Sequence, residues 1–373
     1  MDADAASFAN AVLVWYNRWG RHDLPWQQQD AYRVWLSEIM LQQTQVSTVT
    51  PYYLNFIRRF PDIAQLADAS IDEVLRHWQG LGYYARARNL HKAAVIIRDQ
   101  HEGRFPQDFG AVEALPGIGR STAGAILSFA FGQTWPILDG NVKRVLARCF
   151  RVPGWYGQAD TMKQLWYLAE SVTPQQHSAE FNQAMMDIGS MLCVKTKPKC
   201  EICPLKEMCA SYLHHSQAEF PHRKPARTRP HKSTLMLLHR CGDQVLLWRR
   251  PPSGIWGGLW SLPEVDEVRA IELWQQSFLS IAKAPAAIQQ DVIRHQFSHY
   301  SLDISLAVIE MDALPNKIFD ADNYAWIEIA DLDNHGLPTP VRKILSMLRN
   351  RRKYRYARTR AASLQHARPR RPA

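Results

Sequence analysis

The sequence predicts a two-domain protein, in which a nearly all-helical first half is followed by a smaller α/β domain. Apolar residues recur at helical spacing from residue 8 to about 190. Segment 220–232 then holds three prolines and five cations in thirteen residues, which is typical of an extended linker. Beyond it, helical patterns occur near 266–281 and 340–349, and β-rich runs occur at 234–238, 244–248, 304–309 and 324–329. We therefore assign the domains to residues 1–219 and 233–350.

Length and composition indicate a globular, water-soluble chain. Its 373 residues are 46% hydrophobic, enough for a large core, which excludes disorder of the whole chain. No apolar run approaches the roughly 20 residues of a membrane span, and the acidic start differs from that of a signal peptide. We expect a cytoplasmic protein.

The net charge of +10 does not by itself indicate a nucleic-acid partner. Residues 349–373 carry ten Lys and Arg and no acid, and without them the chain has 35 basic and 35 acidic residues. We predict that residues 351–373 form a disordered basic tail. A nucleic-acid partner must therefore be argued from local features.

Four of the six cysteines fall within seventeen residues and predict a metal or cluster site. They are Cys193, Cys200, Cys203 and Cys209, with gaps of six, two and five residues. Zinc sites usually have two Cys-x-x-Cys pairs, whereas this segment has only one, formed by Cys200 and Cys203. The spacing therefore favours a [4Fe–4S] cluster, with zinc as the alternative. Four lysines in and beside this loop favour a structural role against a phosphate backbone. Cys149 and Cys241 stand alone in apolar surroundings and are interpreted as core residues.

A glycine-rich segment, 115–124, predicts a hairpin between two helices. A dinucleotide-binding loop would need a preceding strand, and residues 108–114 do not have a strand pattern. Gly117 and Gly119 allow the turn, and the amides that begin the next helix point at an anion. The segment resembles the helix-hairpin-helix motif, and this resemblance implies contact with a DNA phosphate without reading of sequence.

Two carboxyl groups have unlike surroundings. Glu38 lies among Val34, Trp35 and Leu41 on a predicted helix, so desolvation should raise its pKa and keep it able to donate a proton. Asp139 precedes a glycine and a cationic helix, whose amides and cations should keep it ionised. Such a pair suits glycoside cleavage through an oxocarbenium-like transition state. The alternatives are an exposed glutamate and an aspartate that caps a helix.

Together these segments resemble the helix-hairpin-helix DNA glycosylases that carry an iron–sulfur cluster, and among them the adenine DNA glycosylases (MutY). The similarity runs from about Trp15 to Cys209, through 35–45, 80–88, the hairpin and 138–144. The second domain resembles the Nudix-like recognition domain of that family at 250–260 and 297–299. The resemblance implies an all-helical glycosylase domain with a cluster loop at 193–209, followed by a Nudix-like α/β domain.

The resemblance implies hydrolytic removal of adenine mispaired with 8-oxoguanine or guanine in base excision repair. The partner would be double-stranded DNA with the target nucleotide flipped out, and the protein would act as a monomer. Glu38 would protonate N7 of the purine and later activate water, Asp139 would stabilise the sugar cation, and Asn141 would help to hold the site. Trp26, Leu41 and Gln183 would line the adenine pocket.

The same resemblance implies a set of DNA contacts. Gln43 and Tyr83 would wedge into the duplex beside the oxidised guanine, and Phe297, Ser298 and His299 would sense that base. Further contacts are expected at Arg86, Gly117, Gly119 and Lys143.

Ser121 separates close relatives within this superfamily. The pyrimidine-specific lyases carry a Schiff-base lysine where this chain has Ser121. We count Ser121 among the catalytic residues. A hydroxyl cannot form an imine, so we expect a monofunctional glycosylase with at most weak strand cleavage through an amine such as Lys143. The second domain lacks the paired glutamates of Nudix hydrolases and should bind without hydrolysing. The alternatives are an endonuclease III-like glycosylase/lyase on oxidised pyrimidines and a non-catalytic iron–sulfur DNA-binding protein.

Overall fold

The computed structural model describes residues 2–27, 30–225, 228–279, 288–297, 300–315 and 322–348. The chain divides into two compact units, one formed by Met1–Ala69 and Arg86–Ala226 and the other by Ser70–Ala85 and Arg227–Ala373. The predicted tail at 351–373 lies outside the described residues. Across the described ranges, every helix is too short or too polar to cross a membrane.

The first unit is all-helical. Its helices are α1 Asp2–Trp19, α2 Ala31–Leu41, α3 Val46–Arg59, α4 Ile63–Asp68, α6 Ala85–Gln100, α7 Phe109–Glu113, α8 Arg120–Phe131, α9 Gly140–Cys149, α10 Ala159–Val172, α11 Ser178–Asp187 and α12 Ala210–Leu213. Side chains of Asp30, Asp62 and Asp108 accept hydrogen bonds from amides of the first turns of α2, α4 and α7, which fixes where these helices begin. One core joins α1 to α9, α10 and α11 through residues such as Val12 and Leu146.

The second unit is built on a mixed sheet. Its strands are β1 His231–Cys241, β2 Gln244–Arg249, β3 Trp260–Ser261, β4 Glu264–Val265, β5 Ile288–Gln296, β6 Ser301–Met311 and β7 Tyr324–Glu328. The order is β3-β2-β1-β6-β5, with β1 and β6 parallel, β4 paired to β1, and β7 paired to β2. Helix α13, Ala270–Leu279, packs on the sheet through Ile271, which meets Leu237 and Ile309. The predicted combination of a helical half and an α/β half is confirmed.

A short segment from the helical half of the sequence belongs to this second unit. It comprises Ser70–Ala85, with α5 at Ile71–His77 and a loop that leads to α6. Asp72 Oδ1 lies 3.0 Å from Arg249 Nη2, and Arg76 Nη1 donates to Asn334 Oδ1 at 3.3 Å. The helical pattern of the sequence does not reveal this assignment, because it depends on partners more than 170 residues away.

Candidate active site

Glu38 lies on α2 and lines a cavity of about 350 Å³. The same helix is anchored in the core by Val34, Trp35 and Ile39. Burial of the carboxyl, with a smaller contribution from the negative charge of Asp139, raises the pKa of Glu38 to about 8. Glu38 is therefore held mainly protonated at neutral pH, and the direction is the one that its apolar neighbours predict.

Asp139 is the N-cap of α9. Its Oδ1 accepts hydrogen bonds from the backbone amides of Asn141 at 3.0 Å and Val142 at 2.8 Å, and its Oδ2 accepts from Asn141 Nδ2 at 3.0 Å. The helix-cap interpretation is thus correct, and capping also fixes the direction of the carboxylate. Burial nevertheless raises the pKa of Asp139, because desolvation outweighs these hydrogen bonds. The sequence predicted the hydrogen bonds but not this burial.

Arg144 orients Asn141 from the opposite side. Its Nη2 donates to Asn141 Oδ1 at 2.9 Å and to the Gly189 carbonyl at 2.6 Å, and its Nε donates to the Cys193 carbonyl at 2.7 Å. Position 189 has no room for a larger residue than glycine, since an added Cβ would lie 2.5 Å from Asn141 Cβ. The amide of Asn141 is therefore held with its nitrogen toward Asp139, in contact with the loop that begins at Cys193.

Ser121 and Lys143 flank Asp139 in different ways. Ser121 Oγ accepts a hydrogen bond from the Leu138 amide at 2.9 Å, so it fixes the residue before Asp139 rather than facing the cavity. Lys143 Nζ lies 5.7 Å from the centre of the Tyr156 ring, and burial lowers the pKa of this amine. The contact of Ser121 makes it a positioning residue for Asp139.

The cavity beside Glu38 has an apolar wall and several polar groups. The described residues that line it are Tyr16, Asn17, His22, Trp26, Gln27, Val34, Ser37, Glu38, Phe129, Ala179, Glu180 and Gln183. Two of the three predicted pocket residues, Trp26 and Gln183, are in this set, whereas Leu41 is not. Trp26 is buried against the Tyr53 ring, with 5.3 Å between ring centres.

Asp187 is a buried carboxylate that the sequence does not reveal, and it contacts the cavity residue Gln183. Asp187 is fully buried and accepts hydrogen bonds from Arg21, through its amide at 2.7 Å and its Nε at 2.9 Å. The same carboxylate accepts from Gln183 Nε2 at 2.8 Å. Since a carboxylate only accepts, this contact fixes which end of the Gln183 amide points away from Asp187.

The glycine hairpin has the geometry expected of an anion site. Gly117 has φ +82°, and an added Cβ would lie 2.9 Å from Asn89 Cβ. Gly119 is the N-cap of α8, and the space where its Cβ would stand is open. Gln42 Nε2 donates to the Gly117 carbonyl at 3.4 Å, which connects the hairpin to the end of α2.

Two predicted DNA contacts are presented on strained backbone, whereas a third is buried. Gln43 and Tyr83 are exposed and adopt left-handed φ values of 58° and 49°. Arg86 is 8% exposed, and its guanidinium donates to the carbonyls of Ile39, Met40 and Gln42 at the end of α2. Arg86 caps a helix C-terminus, where unpaired carbonyls attract a cation, and is not a surface contact.

The four predicted cluster ligands line one pocket. Arg148 Nη1 lies 3.3 Å from Cys193 Sγ and donates to the Val194 carbonyl at 2.8 Å. A hydrogen bond with Cys149, together with backbone amides, lowers the pKa of Cys209 to about 6. Four thiols and a buried cation fit the donor set of a cluster, although among the described residues no group of three His, Cys, Asp or Glu has the arrangement of a metal-ion site. Cys149 is buried as predicted but is not isolated, since it contacts Cys209.

In the second unit, Phe297 directly follows the last residue of β5. Its amide donates to the Tyr300 carbonyl at 2.9 Å, and its ring stacks on Tyr300 with 4.6 Å between centres. Trp256 packs on the same ring at 5.2 Å. Ser298 and His299 lie outside the described residues.

Comparisons with known proteins agree with both halves of the chain. Residues 36–171 match the family model of the HhH-GPD superfamily base excision DNA repair proteins, and residues 234–347 match that of the NUDIX domain. An adenine DNA glycosylase of Buchnera aphidicola subsp. Acyrthosiphon pisum is 39% identical, over 91% of this chain and 96% of that protein. The mouse adenine DNA glycosylase is 31% identical, over 94% and 79%. A thermostable thymine-DNA glycosylase structure is 28% identical with a TM-score of 0.51, covering 57% of this chain and 98% of that one.

The two matched models define the class, a helix-hairpin-helix base-excision glycosylase that carries a NUDIX domain. Relatives named adenine DNA glycosylase align with both halves of this chain, and membership of the class alone would not require this. The chain belongs to the adenine DNA glycosylase (MutY) family. It is a hydrolase that releases adenine from DNA by cleaving the N-glycosidic bond.

Proposed function

We propose that this enzyme removes adenine paired with 8-oxoguanine or guanine, and that it does so without cutting the strand. The observation that carries the proposal is Glu38, which lies at the wall of a cavity and whose pKa is raised to about 8 by burial and by the negative charge of Asp139. An adenine flipped out of the duplex would enter this cavity. The 8-oxoguanine would remain in the duplex, and Gln43, Tyr83 and Phe297 are each proposed to contact it.

The proton of Glu38 begins the reaction. It passes to N7 of the adenine while the N-glycosidic electron pair moves into the purine, which leaves a cation on the sugar. The ionised carboxylate of Asp139 stabilises this cation. Two backbone amides and the Asn141 side chain hold that carboxylate in place. Glu38, now ionised, takes a proton from the water that attacks C1′, which restores the enzyme.

Gln183 supplies a reason for choosing adenine. Because its Nε2 donates to Asp187, its Oε1 is the atom left to accept a hydrogen bond from the base. The exocyclic group of adenine is a donor, whereas guanine and hypoxanthine present a carbonyl oxygen at the same position. An acceptor fixed in the cavity therefore favours adenine.

The position of Ser121 supports a monofunctional reaction. Its hydroxyl accepts from the Leu138 amide and has no amine to form an imine. Lys143 is the amine next to Asp139, and its lowered pKa makes a slow secondary strand cleavage chemically reasonable. Contacts with the DNA backbone are proposed at Gly117, Gly119 and Lys143, with Ser298 and His299 adding to the reading of the oxidised base.

Cys193, Cys200, Cys203 and Cys209 are proposed to hold a [4Fe–4S] cluster. A bound cluster would supply a cross-link that closes the loop, in which Lys195, Lys197 and Lys199 are exposed toward solvent. Purified protein is expected to contain four iron atoms and to absorb near 400 nm, as iron–sulfur clusters do. A colourless protein with one zinc would favour the alternative.

The decisive experiment uses a duplex with one adenine opposite 8-oxoguanine, analysed with and without alkali. Strand breaks that appear only after alkali are expected from wild type, and the Glu38→Gln variant should bind the duplex but leave the adenine in place. Breaks without alkali would indicate a lyase of the endonuclease III kind. Binding without base loss by cluster-loaded wild type would refute the proposal and favour a non-catalytic role.

A further inference from the structure

The exposed loop that carries Tyr83 belongs to the same compact unit as the Nudix-like domain. By sequence, Ser70–Ala85 lies inside the helical glycosylase match, yet its contacts place it with Arg227–Ala373. Phe297 is in this unit as well. The two elements proposed to meet the base opposite adenine thus share one structural unit, although more than 200 residues separate them in the chain.

The loop is built to present Tyr83. Trp78, fully buried at the end of α5, donates from its Nε1 to the Gly82 carbonyl at 3.1 Å. The Gly80 amide donates to Tyr84 Oη at 3.3 Å. Between these two ties, Tyr83 is 46% exposed with φ +49°, a conformation that a tyrosine adopts only where its surroundings impose it.

Helix α5, which leads into this loop, is attached to the Nudix-like domain at three points. Asp72 forms an ion pair with Arg249 at 3.0 Å, and Arg76 donates to Asn334 at 3.3 Å. Close packing adds to these, since a Cβ at Gly336 would lie 3.4 Å from Leu75 Cβ. The orientation of α5, and with it the loop, is therefore set by this domain.

The attachment continues toward Phe297. Arg249 is followed by Arg250, whose guanidinium lies 5.6 Å from the centre of the Trp256 ring. Trp256 in turn packs on Phe297 at 5.2 Å between ring centres. A displacement of α5 is therefore expected to disturb the side chains that pack around Phe297.

We propose that Ser70–Ala85 and the Nudix-like domain form one reading unit for the base opposite adenine, with the Asp72–Arg249 ion pair as the contact that holds the Tyr83 loop on it. Both are positioning residues, acting through Tyr83 and Phe297 rather than on the base. The inference rests on the proposed function, because it assumes that this base is read at all.

The test reverses each charge of the pair in the full-length, cluster-loaded protein. Affinity is measured for a duplex with the uncleavable 2′-fluoro-2′-deoxyadenosine opposite 8-oxoguanine, and for the same duplex with guanine. Asp72→Arg and Arg249→Asp are each expected to reduce the preference for 8-oxoguanine by about fivefold, the upper end of the range for a partly exposed ion pair. The double exchange, which restores opposite charges, should recover most of it.

Arg240→Asp is the matched control, because Arg240 pairs with Glu310 at 3.4 Å within the sheet of the same unit. It should leave the preference unchanged. A preference that survives both single reversals, or that the double exchange fails to recover, would overturn the inference. Failure of the proposed function would give a different result, because wild type would then leave the adenine in the cleavable duplex. The affinity ratio that tests the inference is measured without cleavage.

Discussion

Replacing Glu38 by Gln is expected to abolish base release and, at the same time, to stabilise the protein. The pKa of this carboxyl is about 8 in the folded protein, against 4.5 for an unperturbed glutamate. Between these values the folded protein binds more protons than the unfolded chain, so the free energy of unfolding falls as the pH rises through this window. A neutral amide at position 38 does not carry that penalty.

The size of the effect follows from the two pKa values. The penalty is close to zero at pH 4 and reaches about 3 kcal/mol at pH 7, an upper value because the carboxyl lines an open cavity. For a unit of this size, the melting temperature of the variant should exceed that of wild type by about 5–10 °C at pH 7. Scanning calorimetry of both proteins at pH 5, 6, 7 and 8 measures this difference.

A second Glu→Gln variant, at an exposed position, serves as the control for this prediction. Glu113→Gln changes an exposed glutamate on α7 and should leave the melting temperature unchanged at every pH. A Glu38→Gln variant that is no more stable than wild type, or whose advantage does not grow from pH 5 to pH 8, would refute the desolvation argument. Retained adenine release would refute the assignment of Glu38 as the acid.

Three further outcomes are expected. Single-turnover base release by wild type should fall about tenfold between pH 7 and pH 9, since the protonated fraction of Glu38 falls through its pKa of about 8, and a flat profile would contradict this. Arg86→Ala should lower the free energy of unfolding by about 2–4 kcal/mol, because three carbonyls at the end of α2 lose their donor, without changing the salt slope of DNA affinity as a lost phosphate contact would. Gly189→Ala should slow base release by about 100-fold with DNA affinity retained, since its Cβ would displace Asn141; equal rates would show that the Asn141 amide is dispensable.

The sequence predicted those parts of the fold that depend on local pattern. Helical periodicity gave the first unit, and β-rich runs gave β1, β2, β6 and β7. Strand β5, Ile288–Gln296, was not predicted, because its polar residues do not alternate clearly with apolar ones. Pairing with β6 makes it a strand, and the partner begins several residues later in the chain.

In the active site, the sequence failed where a charged residue is buried by distant partners. Arg86 follows an exposed loop and has the residue type of a phosphate contact, but the carbonyl groups that it caps lie 44 to 47 residues earlier. Asp187 has an ordinary place near the end of α11, and its charged partner Arg21, 166 residues away, explains why its carboxylate can be fully buried. Such pairs carry no local spacing, so composition and periodicity do not reveal them.

The opposed roles of Glu38 and Asp139 follow from their different surroundings and from the repulsion between their negative charges. Asp139 has three hydrogen bonds to its carboxylate, whereas its charge acts on Glu38 as a repulsion that raises the pKa of that group. When one proton is shared between them, the hydrogen bonds favour the ion at Asp139 and thereby favour the acid at Glu38. An Asp139→Asn substitution should therefore remove the anion that stabilises the sugar cation and also lower the pKa of Glu38, moving the alkaline limb of the pH–rate profile to lower pH. A limb that stays in place in the residual activity would mean that burial alone, and not this pairing, keeps Glu38 protonated.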